Sequence, residues 1–212
     1  MPDFQFYFEL LGAVAFAVSG AALAVKKGMD LFGVAVMGMT TAVGGGILRD
    51  MLLGLTPPAA LKDPLQALVA IATSLLLFIV WKKWHPSGNH RVWESVLLAA
   101  DSLGLGIFSV HGAAVAIRAG YGANVFLVLL VGVLTGVGGG VLRDTLAGNV
   151  PYIFRKHIYA LAALAGALVW LICHLLLDDT TALLLGSAVV IAIRLLAAHF
   201  RWSLPKARIP EE

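Results

Sequence analysis

Two Arg-Asp pairs stand inside apolar stretches of the sequence, and in each the arginine comes three positions after the last of three consecutive glycines. An arginine near the centre of a bilayer costs about 2.5–3.5 kcal/mol, so it must find a carboxylate, a backbone oxygen or water. Because adjacent residues on a helix do not face each other, each arginine is predicted to pair with an acid other than the aspartate beside it. The charged residues are Arg49, Asp50, Arg143 and Asp144, and the glycines are Gly44, Gly45, Gly46, Gly138, Gly139 and Gly140.

Two further acids are the candidate partners of these arginines. Glu9 and Asp101 stand near the starts of two apolar segments, at equivalent positions of a sequence repeat. We expect the acids to neutralise the arginines and to present oxygen to a passing ion. The alternative stays open that these charges snorkel to the membrane interface or only hold helices together. Ser19 and His111 also occupy equivalent positions and are secondary candidates, although a hydrogen-bonded core histidine is the favoured interpretation of His111.

The glycine triplets predict a special backbone. Each glycine inside a helix costs about 1 kcal/mol relative to alanine, so three in a row predict a kink or an unwound turn. Such helices are tolerated at membrane depth where they are buried in protein or line a water-filled cavity. Close helix packing is the alternative, and Gly132, Gly136 and Gly140 fit a small-residue face. Because the triplets recur with the Arg-Asp pair, a kinked helix lining a pore or a binding site is favoured.

The chain repeats itself. Thr41–Pro57 matches Thr135–Pro151 at 11 of 17 positions with an offset of 94 residues, and Glu9–Gly28 matches Asp101–Gly120 at 9 of 20 with an offset of 92. A bias toward small residues does not produce Gly-Gly-Gly-x-Leu-Arg-Asp twice. The repeat predicts two three-helix units. Since three is an odd number of spans, the second unit crosses the membrane with opposite polarity, a feature of many transport proteins.

Composition defines the class of protein that must carry these motifs. Of the 212 residues 60% are hydrophobic and only 13% are charged, about half the usual charged share for a soluble domain. A soluble domain of this size has too little interior to bury so much apolar surface. The composition therefore excludes an ordinary cytosolic enzyme, a disordered protein and a nucleic-acid binder. The lone Cys173 excludes a disulfide framework and a cysteine-based metal site.

Seven apolar stretches have the length of about 20 residues that a membrane-spanning helix needs. They predict an all-α integral membrane protein in which residues 1–212 form one transmembrane domain. Repeat one covers about 4–81, repeat two about 93–177, and the seventh helix about 180–200. The stretches are Phe4–Val25, Leu31–Leu53, Pro64–Trp81, Trp93–Ile117, Asn124–Ala147, Ile158–Leu177 and Thr180–Phe200.

The charges in the connections predict the orientation, because lysine and arginine accumulate on the cytoplasmic side. The segments after the odd-numbered spans hold ten basic residues and those on the other side two, so the N-terminus is predicted outside and the C-terminus inside. Arg194, within the seventh span, is expected to reach the inner interface by snorkelling. The ten are Lys26, Lys27, Lys82, Lys83, Arg91, Arg155, Lys156, Arg201, Lys206 and Arg208, and the two are Lys62 and Arg118.

With two Gly-Gly-Gly-x-Leu-Arg-Asp motifs in a seven-helix inverted repeat, the sequence resembles the bacterial and archaeal members of the trimeric intracellular cation channel (TRIC) family over nearly its whole length. The resemblance implies a homotrimer in a bacterial or archaeal inner (plasma) membrane. It also implies an hourglass pore in every protomer, shaped by kinked second and fifth helices and passing K⁺ and Na⁺. The implied partners are membrane lipids, other protomers and monovalent cations. No nucleic acid and no cofactor beyond the permeating ion is expected.

Two other function classes stay open. Inverted repeats also fit a secondary transporter of a small solute, such as a small amino acid. An intramembrane packing protein without a pathway is the other class. An enzyme is not predicted, because the sequence contains no GxxxxGK[ST], HExxH or GxSxG motif.

Overall fold

The computed structural model describes residues 4–84, 90–155 and 158–202, and within these ranges the chain forms seven long helices, two one-turn helices and no strand. A π-helical turn, Ile117–Tyr121, extends the fourth long helix. The helices are α1 (Phe4–Lys26), α2 (Leu31–Leu52), α3 (Ala59–Lys62), α4 (Leu65–Trp84), α5 (His90–Ala116), α6 (Val125–Leu146), α7 (Tyr152–Arg155), α8 (Ile158–His174) and α9 (Asp179–His199).

Six of the long helices in the described ranges are long and apolar enough to cross a membrane. The remaining one, α8, has 17 residues, which is the lower limit of the usual range. Its predicted span extended to Leu177, but the helix ends at His174 because the chain turns there into Asp178, which caps α9. The predicted second and fifth spans correspond to α2 and α6.

Local signals begin and end the helices in the same way in both halves of the chain. Asp30 accepts a hydrogen bond from the amide of Gly33 at the start of α2 (2.7 Å), and Asn124 accepts one from Leu127 at the start of α6 (3.0 Å). Glycines with positive φ follow the corresponding helices, a conformation that favours glycine at a helix end. They are Gly28 (φ 72°), Gly54 (φ 71°), Gly120 (φ 93°) and Gly148 (φ 69°).

The two halves meet along a pair of long-range helix contacts. Helices α1, α2 and α4 pack on one another, α5 packs on α6 and α8, and α9 covers α5 and α8. The halves join where α2 packs on α6 and α1 packs on α5. This arrangement brings the first and fourth predicted spans together with the second and fifth, the four that hold the candidate site residues.

Contacts between α1 and α5 are reciprocal. Gly12 of α1 packs against the Phe108 ring of α5, and Gly104 of α5 packs against the Phe16 ring of α1. The two rings stack with centroids 5.3 Å apart. These small residues, like Gly20 and Gly112, which pack on threonines of α2 and α6, therefore serve helix contacts within one protomer.

Of the two outcomes predicted at the glycine triplets, the unwound turn is wrong, and the kink stays a prediction. Both α2 and α6 continue as α-helix through their triplets and for six residues beyond the last glycine. Glycine weakens an isolated helix, but here the bare faces are covered by the partner helix, and tertiary packing outweighs the low intrinsic propensity. The alternative of close packing thus explains the first two glycines of each triplet.

Candidate functional site

Helices α2 and α6 cross at the second glycine of each triplet. A Cβ atom at Gly45 would lie less than 3.0 Å from the backbone oxygen of Thr135, and one at Gly139 would lie equally close to that of Thr41. Because the obstacle is backbone, it cannot rotate away, and only glycine fits. These two residues set the distance between the helices on which both candidate arginines stand.

The first and third glycines have different surroundings. The first packs against a leucine of the other helix, whereas the third lies beside the arginine that follows it in the same helix. A Cβ atom at Gly46 would be 3.8 Å from Nη2 of Arg49, and one at Gly140 would be 3.7 Å from Nη2 of Arg143 and 3.1 Å from the Tyr159 hydroxyl oxygen. The leucine contacts pair Gly44 with Leu142 and Gly138 with Leu48.

On one side of the crossing lies a buried set of polar side chains, here named the Asp101 cluster. It brings together residues from α1, α5, α6, α8 and α9, and each is 6% exposed or less. Burial this deep requires that charges be paired and polar atoms bonded. The members are Ser19, Asp101, Arg143, Asp144, Tyr159 and Arg194.

Asp101 is the centre of this cluster. Its Oδ1 accepts hydrogen bonds from Nη1 of Arg143 (2.8 Å), from Oγ of Ser19 (3.4 Å) and from the Tyr159 hydroxyl (3.4 Å). Its Oδ2 accepts from Nη2 of Arg194 (3.3 Å), whose guanidinium lies 4.6 Å from the centre of the Tyr159 ring. Asp101, one of the two candidate acids, is therefore a partner of Arg143.

The prediction that no arginine pairs with the aspartate beside it is wrong. Nε of Arg143 donates to Oδ1 of Asp144 (2.9 Å), and Nε of Arg49 donates to Oδ1 of Asp50 (2.8 Å). Adjacent Cβ atoms do point in different directions, but the long arginine stem carries Nε back over the neighbouring residue. The terminal nitrogens remain free to reach a second helix.

Each aspartate also holds the segment that follows its helix. Oδ2 of Asp50 accepts from the amide of Ala59 at the start of α3 (2.7 Å), and Oδ2 of Asp144 accepts from the amide of Tyr152 at the start of α7 (2.9 Å). The carboxylates thus satisfy backbone donors and fix the arginines at the same time. Because Asp50 and Asp144 occupy equivalent positions in the repeat, they make the same contacts in both halves.

On the other side of the crossing lies the Glu9 cluster, composed of Glu9, Arg49, Asp50, Gln66 and His111. Oε1 of Glu9 is 2.9 Å from Nε2 of His111, and Oε2 accepts from the Gln66 amide (2.5 Å). The favoured interpretation of His111 as a bonded core histidine is confirmed. Glu9, the other candidate acid, makes no hydrogen bond to Arg49 or Arg143 among the described residues.

The Glu9 cluster opens into a cavity of about 150 Å³, whereas the Asp101 cluster is closed. Glu9, Gly46, Arg49, Asp50, Asp63 and Gln66 contribute to its lining. Among the described residues, the terminal nitrogens of Arg49 have no hydrogen-bond partner, although its side chain is only 8% exposed. A volume of this size holds several waters or one small solute.

The formal charges of the two clusters differ. In the Asp101 cluster two arginines balance two aspartates. In the Glu9 cluster only Arg49 opposes Asp50 and Glu9, which leaves one negative charge when His111 is neutral. The difference arises because Arg194, from the helix outside the repeat, has no counterpart near Glu9. Within the described ranges, no group of three His, Cys, Asp or Glu residues is placed to hold a metal ion.

Three members of the clusters were not predicted as site residues. Arg194 does not snorkel but is 3% exposed and bonded to Asp101, because the acid offers a closer partner than the interface. The signal was present, since a charge in an apolar span is a functional candidate by default. Tyr159 and Gln66 carry no such signal, because single polar residues near helix ends are common.

The fold is similar to solved channel structures along almost its whole length. It superposes on a TRIC cation channel with a TM-score of 0.84 and 40% identity, covering 97% of this chain and 98% of the other. The TRIC orthologue from Rhodobacter sphaeroides gives a TM-score of 0.83 at 31% identity, with 93% and 98% covered. The fold and its buried clusters thus define a multi-pass membrane protein of the class to which these channels belong.

Relatives of known sequence place the chain more narrowly. A UPF0126 membrane protein of Deinococcus radiodurans is 40% identical over 210 residues (97% of this chain and 93% of the relative). The UPF0126 inner membrane protein YadS of Escherichia coli is 36% identical over 208 residues, with 97% of each covered. A family model described as "Glycine transporter" matches residues 6–82 and again 98–175, so the chain belongs to that family. The predicted location in the bacterial inner membrane is confirmed by these relatives and by the candidate spans.

Proposed function

We propose that the protein is a monovalent cation channel with one pathway through each protomer, running past the crossing of α2 and α6. The observation that carries this proposal is the pair of repeat-related charged clusters, one on each side of the crossing. Intramembrane ionisable residues are expensive and commonly mark ion pathways. The likeness to TRIC cation channels supports the same conclusion.

In this proposal the glycines shape the pathway by letting two intact helices approach, not by breaking them. The cavity beside Glu9 is the open half of the pathway, and the Asp101 cluster closes the other half. A cation entering the cavity meets carboxylate oxygens and an excess of negative charge. Because these ligands form no fixed ring of carbonyls, we expect weak discrimination between K⁺ and Na⁺.

The proposed topology has seven spans, with α8 as the shortest, and inverted three-helix repeats. Lys26, Lys27, Lys82 and Lys83 lie at the end of the bundle where α1 and α4 finish, here named the lysine end. The positive-inside rule makes this end cytoplasmic. The opposite end, where α1 begins and the cavity lies, then faces outward. Arg91, Arg155, Lys156, Lys206 and Arg208, also used for the predicted orientation, lie outside the residues whose side chains are described.

A planar-bilayer recording of the purified protein under a KCl gradient tests the proposal. We expect unitary currents that reverse near the K⁺ equilibrium potential, and nearly the same currents when Na⁺ replaces K⁺. Absence of unitary currents from protein that is folded and correctly inserted would contradict a channel.

One observation favours a second candidate, a carrier of a small zwitterion such as glycine. The free terminal nitrogens of Arg49 suit a carboxylate, and Glu9 on the same cavity suits an ammonium group. The family description names this substrate class. Proteoliposomes would then show slow, saturable glycine uptake without unitary currents, and Arg49→Gln would abolish it. Fast currents without saturable uptake favour the channel.

We also expect a homotrimer. The glycines of α1 and α5 are used inside the protomer, so the contact between protomers must come from other surfaces. Helix α4 leaves most of its apolar surface uncovered, with Leu68, Leu76 and Ile79 about half exposed or more. Mass measurement in a mild detergent should give three times the protomer mass. A single-protomer mass under those conditions would contradict the prediction.

A further inference from the structure

The repeat places two side-chain contacts between α1 and α5 at equivalent positions, but the residue types in the two contacts differ. Ser19 contacts Asp101 in one cluster, and His111, at the position equivalent to Ser19, contacts Glu9 in the other. Serine does not titrate in the physiological range, whereas histidine does. Only the Glu9 cluster therefore contains a group that can take up a proton near neutral pH.

In the Glu9–His111 pair the histidine is buried in the protein, whereas the glutamate is exposed to the cavity. His111 is 3% exposed, and among the described residues its Nδ1 has no hydrogen-bond partner. Glu9 has a quarter of its side chain exposed and lines the cavity. Water in the cavity thus has access to the carboxylate, while the imidazole is held 2.9 Å behind it. Protons reach the pair from the end of the bundle where α1 begins.

The charged groups that act on His111 come from three directions. Glu9 of α1 contacts it directly, Arg49 of α2 stands across the cluster, and Arg118 follows at the outer end of its own helix. Gln66 of α4 is a neutral partner of Glu9. Helix α6 faces this part of α5 with Thr135. Helices α8 and α9 pack on α5 with Trp170, Ala182 and Leu183, and their His174 and Asp179 lie farther out, beside Arg118.

We infer that the Glu9–His111 pair is a proton-binding site that reduces cation conduction when the medium on the cavity side becomes acidic. One proton moves from water to the pair, and no other bond is made or broken. Whether Nδ1 of His111 or Oε2 of Glu9 holds it, the charge of the Glu9 cluster changes from −1 to zero. The attraction that concentrates cations in the cavity is then lost. This inference rests on the proposed channel function.

The test compares the current at about pH 8 with that at about pH 5, the interval over which histidine titrates, with the pH changed on one side at a time. We expect acid on the cavity side to lower the wild-type current about fivefold or more, the effect of one unit charge about 4 Å from the ion in water. Acid on the lysine-end side should leave the current unchanged, because the Asp101 cluster contains no histidine.

Two variants and one control make the result specific. In His111→Ser, which installs the residue of the equivalent repeat position, the ratio of the two currents should approach one. Glu9→Gln should conduct weakly at both pH values and lose the dependence. His174→Ser, at the same end but outside the Glu9 cluster, should keep the wild-type ratio. A wild-type ratio retained by His111→Ser would overturn the inference.

A second measurement does not depend on conduction. NMR of histidine-labelled protein in detergent should contain one imidazole signal that shifts between about pH 5 and 8 and is missing from His111→Ser. Absence of unitary currents at neutral pH together with this titration would reject the channel but keep the proton site. A His111 signal that stays constant over this interval would reject the site.

Discussion

Gly139→Ala is expected to lower the melting temperature of the detergent-solubilised protein by roughly 2–12 °C. The new methyl group would collide with the backbone oxygen of Thr41, so α2 and α6 must move apart. Overpacking of this kind costs about 1–3 kcal/mol, and about 2–4 °C is lost per kcal/mol in a chain of this length. The reciprocal variant Gly45→Ala, which meets Thr135, should lose a similar amount.

Gly46→Ala is the matched control. It lies next to Gly45 in the same triplet, yet its methyl group would meet nothing closer than Nη2 of Arg49 at 3.8 Å. Since alanine favours helix by about 1 kcal/mol over glycine, its melting temperature should stay level or rise. Thermal melts followed by size-exclusion chromatography decide the matter. Equal loss in Gly45→Ala and Gly46→Ala would contradict the assignment, because it would show that a methyl group is not tolerated even at the triplet position that lies away from the crossing.

A larger side chain at the same position separates the role of the triplet in helix packing from its role in the proposed pathway. Gly46 lines the cavity, so Gly46→Leu should fill part of it and reduce conduction without a comparable loss of stability. The sequence predicted a common hinge role for all three glycines. The structure divides them, because residues that follow one another along a helix point in directions about 100° apart and meet different neighbours.

The long helices and the location of the candidate site could be predicted from the sequence because both depend on regular signals. Apolar length predicts helices, and the duplicated motif places Arg49 and Arg143 at equivalent positions. The equivalence of Asp101 and Glu9 made both acids candidate partners, but it did not assign Asp101 to Arg143. Which atoms of a long side chain make each contact could not be predicted, because the direction of a guanidinium depends on several rotatable bonds.

Differences between the halves were the least predictable part of the site. The repeat places Glu9 and Asp101 at equivalent positions, which made both of them candidate partners of the arginines. Instead Glu9 binds His111 and Gln66. The cause lies outside the repeat, since Arg194 of α9 and Tyr159 of α8 fill the space around Asp101. A pattern shared by two halves contains no information about the elements that only one half contacts.

Arg143→Ala is expected to raise the open probability of the channel and to lower its thermal stability at the same time. Arg143 holds Asp101, Asp144 and Ser19 together across the closed half of the pathway. Removing one partner of a buried ion pair costs about 3–5 kcal/mol, because a charge is left without compensation. The same loss leaves the Asp101 cluster with one excess negative charge, which favours a cation there.

Comparison with Arg49→Ala isolates the effect of closing the pathway from the effect of losing an arginine. This variant removes the equivalent arginine of the repeat, but one whose side chain lines a cavity and whose ion-pair partner, within the part of the chain that the structure describes, is Asp50 alone. We expect a smaller loss of stability and little change in open probability, because that half of the pathway is already open.

Melting temperature and single-channel open probability, measured on the same preparation, distinguish a gating role from a structural one. If Arg143 closes the pathway, its removal must change the current of each surviving channel, because the obstacle itself has been removed. If Arg143 only holds the helices together, fewer channels survive and each conducts as before. Lower stability with unaltered currents would therefore assign Arg143 a structural role and place the closure elsewhere, with Arg194 and Tyr159 as the remaining members of the Asp101 cluster to examine.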